Sequence, residues 1–169
     1  RFQPAGVHGP SEVVDLRLLQ NGGVAPFAGR RWQETILYEL HTGTFSEEGS
    51  FTGVRRRLDH LANLGVTAVE LMPIAAFPGE RNWGYDGVLP YAPAAAYGTP
   101  RELAALIAAA HRRELQLFLD VVYNHFGPEG NYLHLYAAPF FTERFTTPWG
   151  AAIDFSVPEV RRFFLDLPA

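Results

Sequence analysis

Two hydrophobic rhythms alternate along this chain. Short, mostly apolar runs of strand length occur at Ile36-Leu37-Tyr38-Glu39-Leu40, Ala68-Val69-Glu70-Leu71 and, from 115 to 121, Leu115-Gln116-Leu117-Phe118-Leu119 and onward. A strand buried in a parallel sheet reads as such a run rather than as strict alternation. Between the runs, apolar residues recur at helical spacing. Val54, Leu58, Leu61 and Ala62 predict a single helix over 51–63, with Arg55, Arg56, Arg57 and Asp59 on its other face and Gly65 ending it. Leu103, Leu106, Ile107 and Ala110 predict the next helix. Thr99 stands at its N-cap, Pro100 at its first position and Glu102 where it closes a capping box. Ser156 and Glu159 predict a second capping box and a short helix ending near Leu167.

The order is strand then helix, three times over, which implies a parallel sheet covered by helices. The loops at 72–98 and from about 122 to 155 are far longer than the usual strand-to-helix connection of about 2–6 residues. Both leave the same edge of the sheet, and long loops on one edge of a parallel sheet build a binding face. Three units are too few for a closed barrel of about 250 residues. The pattern therefore fits either a small open sheet or the opening third of a barrel. The last residues carry no stop signal and Arg1 is no initiator methionine, so a piece of a longer chain is expected. Residues 1–34 are punctuated by Gly6, Gly9, Pro10, Gly22, Gly23, Pro26 and Gly29, and only Val13-Val14 suggests a short strand. The expected division is the tail of a preceding domain over 1–15, a linker over 16–34 and the βα units over 35–169.

Composition narrows the class. Among 169 residues, 47% are hydrophobic and 19% charged, which is globular rather than disordered. A net charge of −4 argues against nucleic acid or an anionic membrane as partner. The chain has no cysteine, so a disulfide framework, a cysteine–zinc site and a cysteine nucleophile are excluded. No apolar run approaches the roughly 20 residues of a membrane span, and the first residues do not read as a signal peptide. A cytoplasmic location is the expectation. Aromatic residues are abundant, and most of them are expected to fill the core; the remainder suit a cleft for flat, polar ligands such as sugars.

The chemistry concentrates on Asp120-Val121-Val122-Tyr123-Asn124-His125, where the third predicted strand gives way to a loop. A lone histidine is as often structural as functional, but His125 at this edge is placed to hydrogen-bond a ligand hydroxyl as a neutral imidazole. Asp120 is expected to brace, by orienting the Asn124 amide or accepting loop N–H groups. A metal reading of Asp120, Asn124 and His125 is weak without further carboxylates or a His-x-x-x-His pair. The second cluster is Asn82-Trp83-Gly84-Tyr85-Asp86-Gly87 on the preceding long loop. Tyr85 offers a ring face and a hydroxyl to a sugar. Trp83 is expected to pack within the loop more readily than to bind, and Asp86 is an acceptor or an acid. Tyr38, Glu39 and His41 end the first strand on the same edge, where packing roles are favoured. His60, His111 and the Arg55–Arg57 run read as solvated surface.

Taken together, these segments resemble the α-amylase family, the family-13 glycoside hydrolases. Asp120-Val121-Val122-Tyr123-Asn124-His125 is similar to the family's first shared region at the end of barrel strand three, and Trp83-Gly84-Tyr85-Asp86 to the segment bearing its stacking tyrosine. The likeness runs from about 35 to 165. The longer stretches Ile36 to Phe45, Tyr85-Asp86-Gly87-Val88, Tyr91-Ala92-Pro93, Tyr97-Gly98, His125-Phe126-Gly127-Pro128-Glu129-Gly130-Asn131-Tyr132 and Thr147-Pro148-Trp149-Gly150 resemble most the subgroup that releases trehalose from maltooligosyl trehalose. Phe2 to Pro10 resembles the end of that subgroup's N-terminal β-sandwich, whereas residues 16–30 depart from it. The resemblance implies the first three βα units of a (β/α)8 TIM barrel. It implies substrate-binding roles for Tyr85, His125, Trp83 and Asp86. Tyr85 would stack on the sugar in subsite −1, and His125 would hydrogen-bond that sugar's hydroxymethyl group. Asp120 and Asn124 would brace the site. The matching asparagine holds calcium in α-amylases; this subgroup is not expected to use it, so neither metal nor cofactor is expected.

A retaining glycosidase needs two carboxylates about 5–5.5 Å apart. The resemblance places them after strands four and five, beyond Ala169, and no carboxylate here is nominated as catalytic. The leading expectation is thus an inactive portion of an α-glucan hydrolase with maltooligosyl trehalose as substrate. Branching and debranching enzymes are the alternatives within the family. A non-catalytic α-glucan-binding module is the alternative outside it. A barrel acting on phosphorylated metabolites is disfavoured, because no glycine-rich phosphate loop precedes a helix.

Overall fold

The computed structural model describes residues 2–15, 17, 19 and 27–167. Its centre is a three-stranded parallel sheet in the order β1 (Leu37–Leu40), β2 (Ala68–Leu71), β5 (Gln116–Leu119). The register sets Leu40 beside Leu71 and Leu71 beside Leu119; one row lower, Glu39, Glu70 and Phe118 are neighbours. Between β1 and β2 the chain runs through α1 (Phe51–Arg56) and α2 (Leu58–Leu64). Between β2 and β5 it runs through the long second loop and α3 (Pro100–His111). Helices on the connections are what parallel pairing demands, since the chain must return to the starting edge between strands.

The core lies between one face of the sheet and these helices. Phe51, Val54, Leu58 and Leu61 from α1 and α2 meet Leu40, Val69 and Leu71 from the strands and Leu106, Ala109 and Ala110 from α3. The helix predicted over 51–63 is broken at Arg57, whose N–H bonds back to Val54 O in a tighter turn. The 3–4–3 spacing from Phe51 to Leu61 survives the break, so both pieces present their apolar residues to the same core. Gly65 ends α2 in the left-handed conformation, as expected. The capping box of α3 forms as the sequence predicts. Thr99 Oγ1 accepts from Glu102 N–H, and Glu102 Oε2 accepts from Thr99 N–H at 2.8 Å. The Thr99 N–H and then the Thr99 hydroxyl, both donating to the Glu102 carboxylate, hold it below its ordinary pKa.

Other expectations need correction. The third strand covers four residues, not the seven of 115–121, and it is half-exposed rather than buried, with Leu119 46% exposed. It lies at the edge of the sheet, and among the described residues no further strand pairs with its outer side. The second capping box does not form. Ser156 turns its N–H and hydroxyl onto Asp154, Val157 takes the N-cap position, and α5 (Pro158–Leu165) starts with proline at its first position. Val13 is 96% exposed and forms no strand; an isolated bridge joins Phe2 to Glu12 instead. Of the predicted linker, residues 16, 18 and 20–26 lie outside the described set, and Trp32–Glu34 makes a 3-10 turn.

Neither long loop is irregular throughout. The second contains a small antiparallel pair, β3 (Ala75–Ala76) with β4 (Leu89–Pro93), and a 3-10 turn at Ala95–Tyr97. The third contains α4 (Leu133–Tyr136) and the hairpin β6 (Phe141–Thr147) with β7 (Gly150–Ile153). This hairpin and α5 share a second aromatic core of Phe126, Ile153, Val160 and Phe164. Among the described residues no helix is long and apolar enough to cross a membrane.

The face of the sheet away from the helices is open. Leu37 is 41% exposed, Glu39 is exposed, and β1 and β5 have unpaired outer edges among the described residues. Unpaired strand edges beside apolar surface favour association. The isolated 169-residue chain is therefore expected to aggregate or stay molten, with strong binding of a hydrophobic dye and a broad thermal transition. A sharp, cooperative melt of a monomer would show that the open face is not a liability.

Candidate sugar-binding edge

The carboxyl-terminal ends of β1, β2 and β5 bring the two sequence clusters together. Tyr85, from the second loop, donates its hydroxyl to Asp120 Oδ2 at 3.2 Å, and Asp120 directly follows β5. His125 Nε2 lies 3.0 Å from the Tyr85 carbonyl oxygen. A carbonyl only accepts, so Nε2 carries a proton towards it, while Nδ1 is buried with no partner in the structure. The two loops are joined further where Gly127 N–H donates to Gly87 O at 3.0 Å. Tyr85 is 42% exposed, so one side of its ring remains presented to solvent. Partial burial, and then the negative charge of Asp120, push the Tyr85 phenol above its ordinary pKa, which keeps it a hydrogen-bond donor.

The Asn82 side chain shapes the turn that carries Tyr85. Its Oδ1 accepts the Gly84 N–H at 2.7 Å, and its Nδ2 donates to Asp86 Oδ2 at 2.9 Å. Gly84 has φ +104°, and a Cβ there would sit 2.2 Å from Pro73 O, so only glycine fits. From behind, His41 Nε2 donates to Asn82 O at 2.8 Å and the Tyr97 hydroxyl reaches the same carbonyl at 3.1 Å. Tyr97 is buried, and that burial pushes its phenol up to about 12, so it stays protonated. Trp83 is 66% exposed and meets His41 edge-on at 5.3 Å. It borders a cleft of about 480 Å3 with His41, Glu80, Arg81 and Tyr97.

One sequence expectation shifts here, the partner of Asp120, and for Asp86 the structure takes the acceptor alternative. Asp120 does not orient Asn124; it holds the Tyr85 hydroxyl, and Asn124 is exposed with no side-chain hydrogen bond among the described residues. The Asp86 carboxylate is taken up by Asn82, so it is tied to the turn. His125 is only 6% exposed, because the Trp149 ring stacks on it at 3.9 Å and 15°. Trp149 stands between β6 and β7, and sequence patterning gave no sign that the hairpin folds back over the strand end. Asn82 was legible in principle, since asparagine two residues before glycine favours a side-chain-capped turn. Among the described residues no three histidine, aspartate or glutamate side chains group as a metal site would require.

Tyr85, Asp120 and His125 joined at the strand ends, with long loops on that edge of a parallel sheet, define an α/β protein with its candidate binding face at the carboxyl ends of its strands. The chain belongs to the α-amylase family: residues 28–139 match the alpha amylase catalytic domain. It is 50% identical over 163 residues to the malto-oligosyltrehalose trehalohydrolase of Deinococcus radiodurans, covering 96% of this chain and 27% of that protein. It is 46% identical over 171 residues to the enzyme of the same name from Saccharolobus solfataricus, covering 98% of this chain and 30% of that protein. The crystal structure of a putative alpha amylase from Salmonella typhimurium superposes with a TM-score of 0.91 at 51% identity, over 98% of this chain and 28% of that one. The chain thus spans less than a third of the length of these relatives.

Replacing Asp120 by Asn removes a negative charge beside the Tyr85 phenol, so its pKa is expected to fall toward the ordinary value. Ultraviolet titration of the complete protein, with Tyr85→Phe to assign the signal, checks this; an unchanged titration would mean that the pair is not formed. Gly84→Ala is expected to cost more than about 1 kcal/mol through strain and the clash with Pro73, measured by denaturant unfolding of the same protein.

Proposed function

We propose that this chain is the opening portion of the catalytic barrel of a retaining α-glucan hydrolase that releases trehalose from maltooligosyl trehalose. Residues 35–169 supply the first three of eight βα units, and residues 1–15 the end of a preceding β-sandwich domain joined by the linker 16–34. The observation that carries the reading is the joined edge of Tyr85, Asp120 and His125 at the ends of parallel strands. Its likeness to two trehalohydrolases at 46–50% identity supports the substrate.

In this reading the exposed face of Tyr85 stacks on the terminal sugar ring, and Asp120 fixes the angle of that face through the hydroxyl. Stacking of this kind suits the C–H groups of a pyranose. His125 meets the hydroxymethyl group of the same sugar when Trp149 yields its place, and Trp83 offers a second exposed ring to the glucan chain. Asp86 acts through the Asn82 turn, and Asn124 completes the strand-end bracing in the whole protein. The nucleophile and the general acid/base come from residues beyond Ala169, so this chain alone turns nothing over.

The complete protein is expected to release trehalose from maltotriosyl trehalose, measured by chromatography of the products. Tyr85→Ala is expected to lower kcat/KM by at least roughly 10-fold, the loss of a ring that binds the reacting sugar. Transfer of glucan branches on amylose, without trehalose release, would refute the substrate.

A further inference from the structure

The N-terminal segment is folded into a closed loop of its own and presses against both site loops. Glu12 N–H donates to Phe2 O at 2.8 Å, Gly6 N–H to Gln3 O at 3.1 Å and Gly9 N–H to Gly6 O at 2.9 Å. Gln3 Nε2 donates to Gly9 O at 3.0 Å across the loop. The tip therefore presents Val7 and His8 in a fixed pose.

Val7 is 5% exposed and packs with Ala76 and Val88 in a small apolar cluster. Val88 follows Tyr85 by three residues on the second loop. Across from it stands Gly130, five residues after His125 on the third loop. Gly130 has φ +95°, and a Cβ there would lie 2.5 Å from Val7 Cγ2. The glycine is thus both a backbone requirement and the floor of the Val7 socket. Asn131 Nδ2 donates to Val88 O at 3.3 Å, so the same seam that seats Val7 is stitched by a loop-to-loop hydrogen bond.

His8 adds polar anchors on the third loop. Its Nε2 lies 2.9 Å from Glu129 Oε1 and its Nδ1 2.7 Å from the Tyr132 hydroxyl. In the neutral ring both contacts are satisfied at once, with Nε2–H donating to the carboxylate and the tyrosine hydroxyl donating to Nδ1.

We propose that Val7 and His8 are positioning residues for the sugar-binding edge: they clamp the loop of Tyr85 to the loop of His125 from the side opposite the ligand. The inference rests on the reading of that edge as the sugar-binding face. Neither residue touches the sugar. They act by holding the seam at Gly87–Val88 and Gly127–Asn131, and with it the register between the Tyr85 ring and the His125 imidazole. Small displacements of a binding group cost large factors in rate, so a loosened seam is read out far from the substitution.

The test is hydrogen exchange by mass spectrometry on the complete protein, beside kinetics. Val7→Ala and, separately, Tyr132→Phe are expected to speed exchange in 84–88 and 125–132 by roughly 10-fold while Pro100–His111 keeps its protection. Val7→Ala is also expected to lower kcat/KM by roughly 10-fold. That loss should shrink in a Tyr85→Ala background, because the clamp acts through the group already removed. Unchanged exchange at the two loops, equal loosening of Pro100–His111, or a full additive loss in the Tyr85→Ala background would each overturn the proposal. If the unaltered protein releases no trehalose, the substrate assignment fails, and the exchange arm still decides the clamp.

Discussion

Parallel pairing of β1, β2 and β5 is the constraint on which everything else in this molecule rests. A parallel strand cannot be reached by a tight turn, so the chain must cross over a face and begin again from the same edge. The crossovers put α1, α2 and α3 on one side and leave the strand ends pointing into loops on the other edge. The core formed by Phe51, Leu58, Leu71 and Leu106 holds that geometry, and the loops inherit fixed roots. Groups far apart in sequence then meet, His41 with Asn82 and Tyr85 with His125, without either pair being local.

The turn of the second loop is held by polar contacts, while the third loop is built around the second core of Phe126, Ile153, Val160 and Phe164. The Asn82 carbonyl collects both the His41 imidazole and the Tyr97 hydroxyl, and its side chain ties Gly84 to Asp86. The two hydrogen bonds to one carbonyl fix the place of the turn, although His41 Nδ1 is buried without a partner. Tyr85 is therefore presented by a turn that is held from behind, from the side by Asp120 and from below by His125. Exposure of the ring on its remaining side follows from how completely the others are occupied.

Much of this was readable from residue order, for identifiable reasons. The strands at β1 and β2 and the start of α3 were legible because apolar runs and capping boxes are local signals, and Thr99, Pro100 and Glu102 carry one within four residues. The pairing of the 82–87 cluster with the 120–125 cluster followed from their shared sheet edge. What stayed hidden depended on partners distant in sequence. The apparent capping box at Ser156 lost to a stronger local acceptor, Asp154. The partner of Asp120 proved to be a hydroxyl 35 residues away instead of the nearby Asn124 amide. The cover that Trp149 places on His125 arises from a hairpin whose sequence, rich in threonine, names no target. The helix break at Arg57 left no trace in the periodicity, because the apolar spacing is unchanged by it.

The row of the sheet that holds Glu39 and Glu70 side by side carries one more consequence. Their side chains leave the same face of neighbouring strands, the face turned away from the helices, with Phe118 next in line. Two like charges at that spacing repel one another, and water tempers the repulsion while the face is wet. A wholly apolar cover laid over them would strand both carboxylates in a poorly polarisable medium, at a cost of several kcal/mol per ion. The electrostatics of this row thus select against a greasy lid: a surface that seals this face must bring positive charge, hydrogen-bond donors or retained water with it.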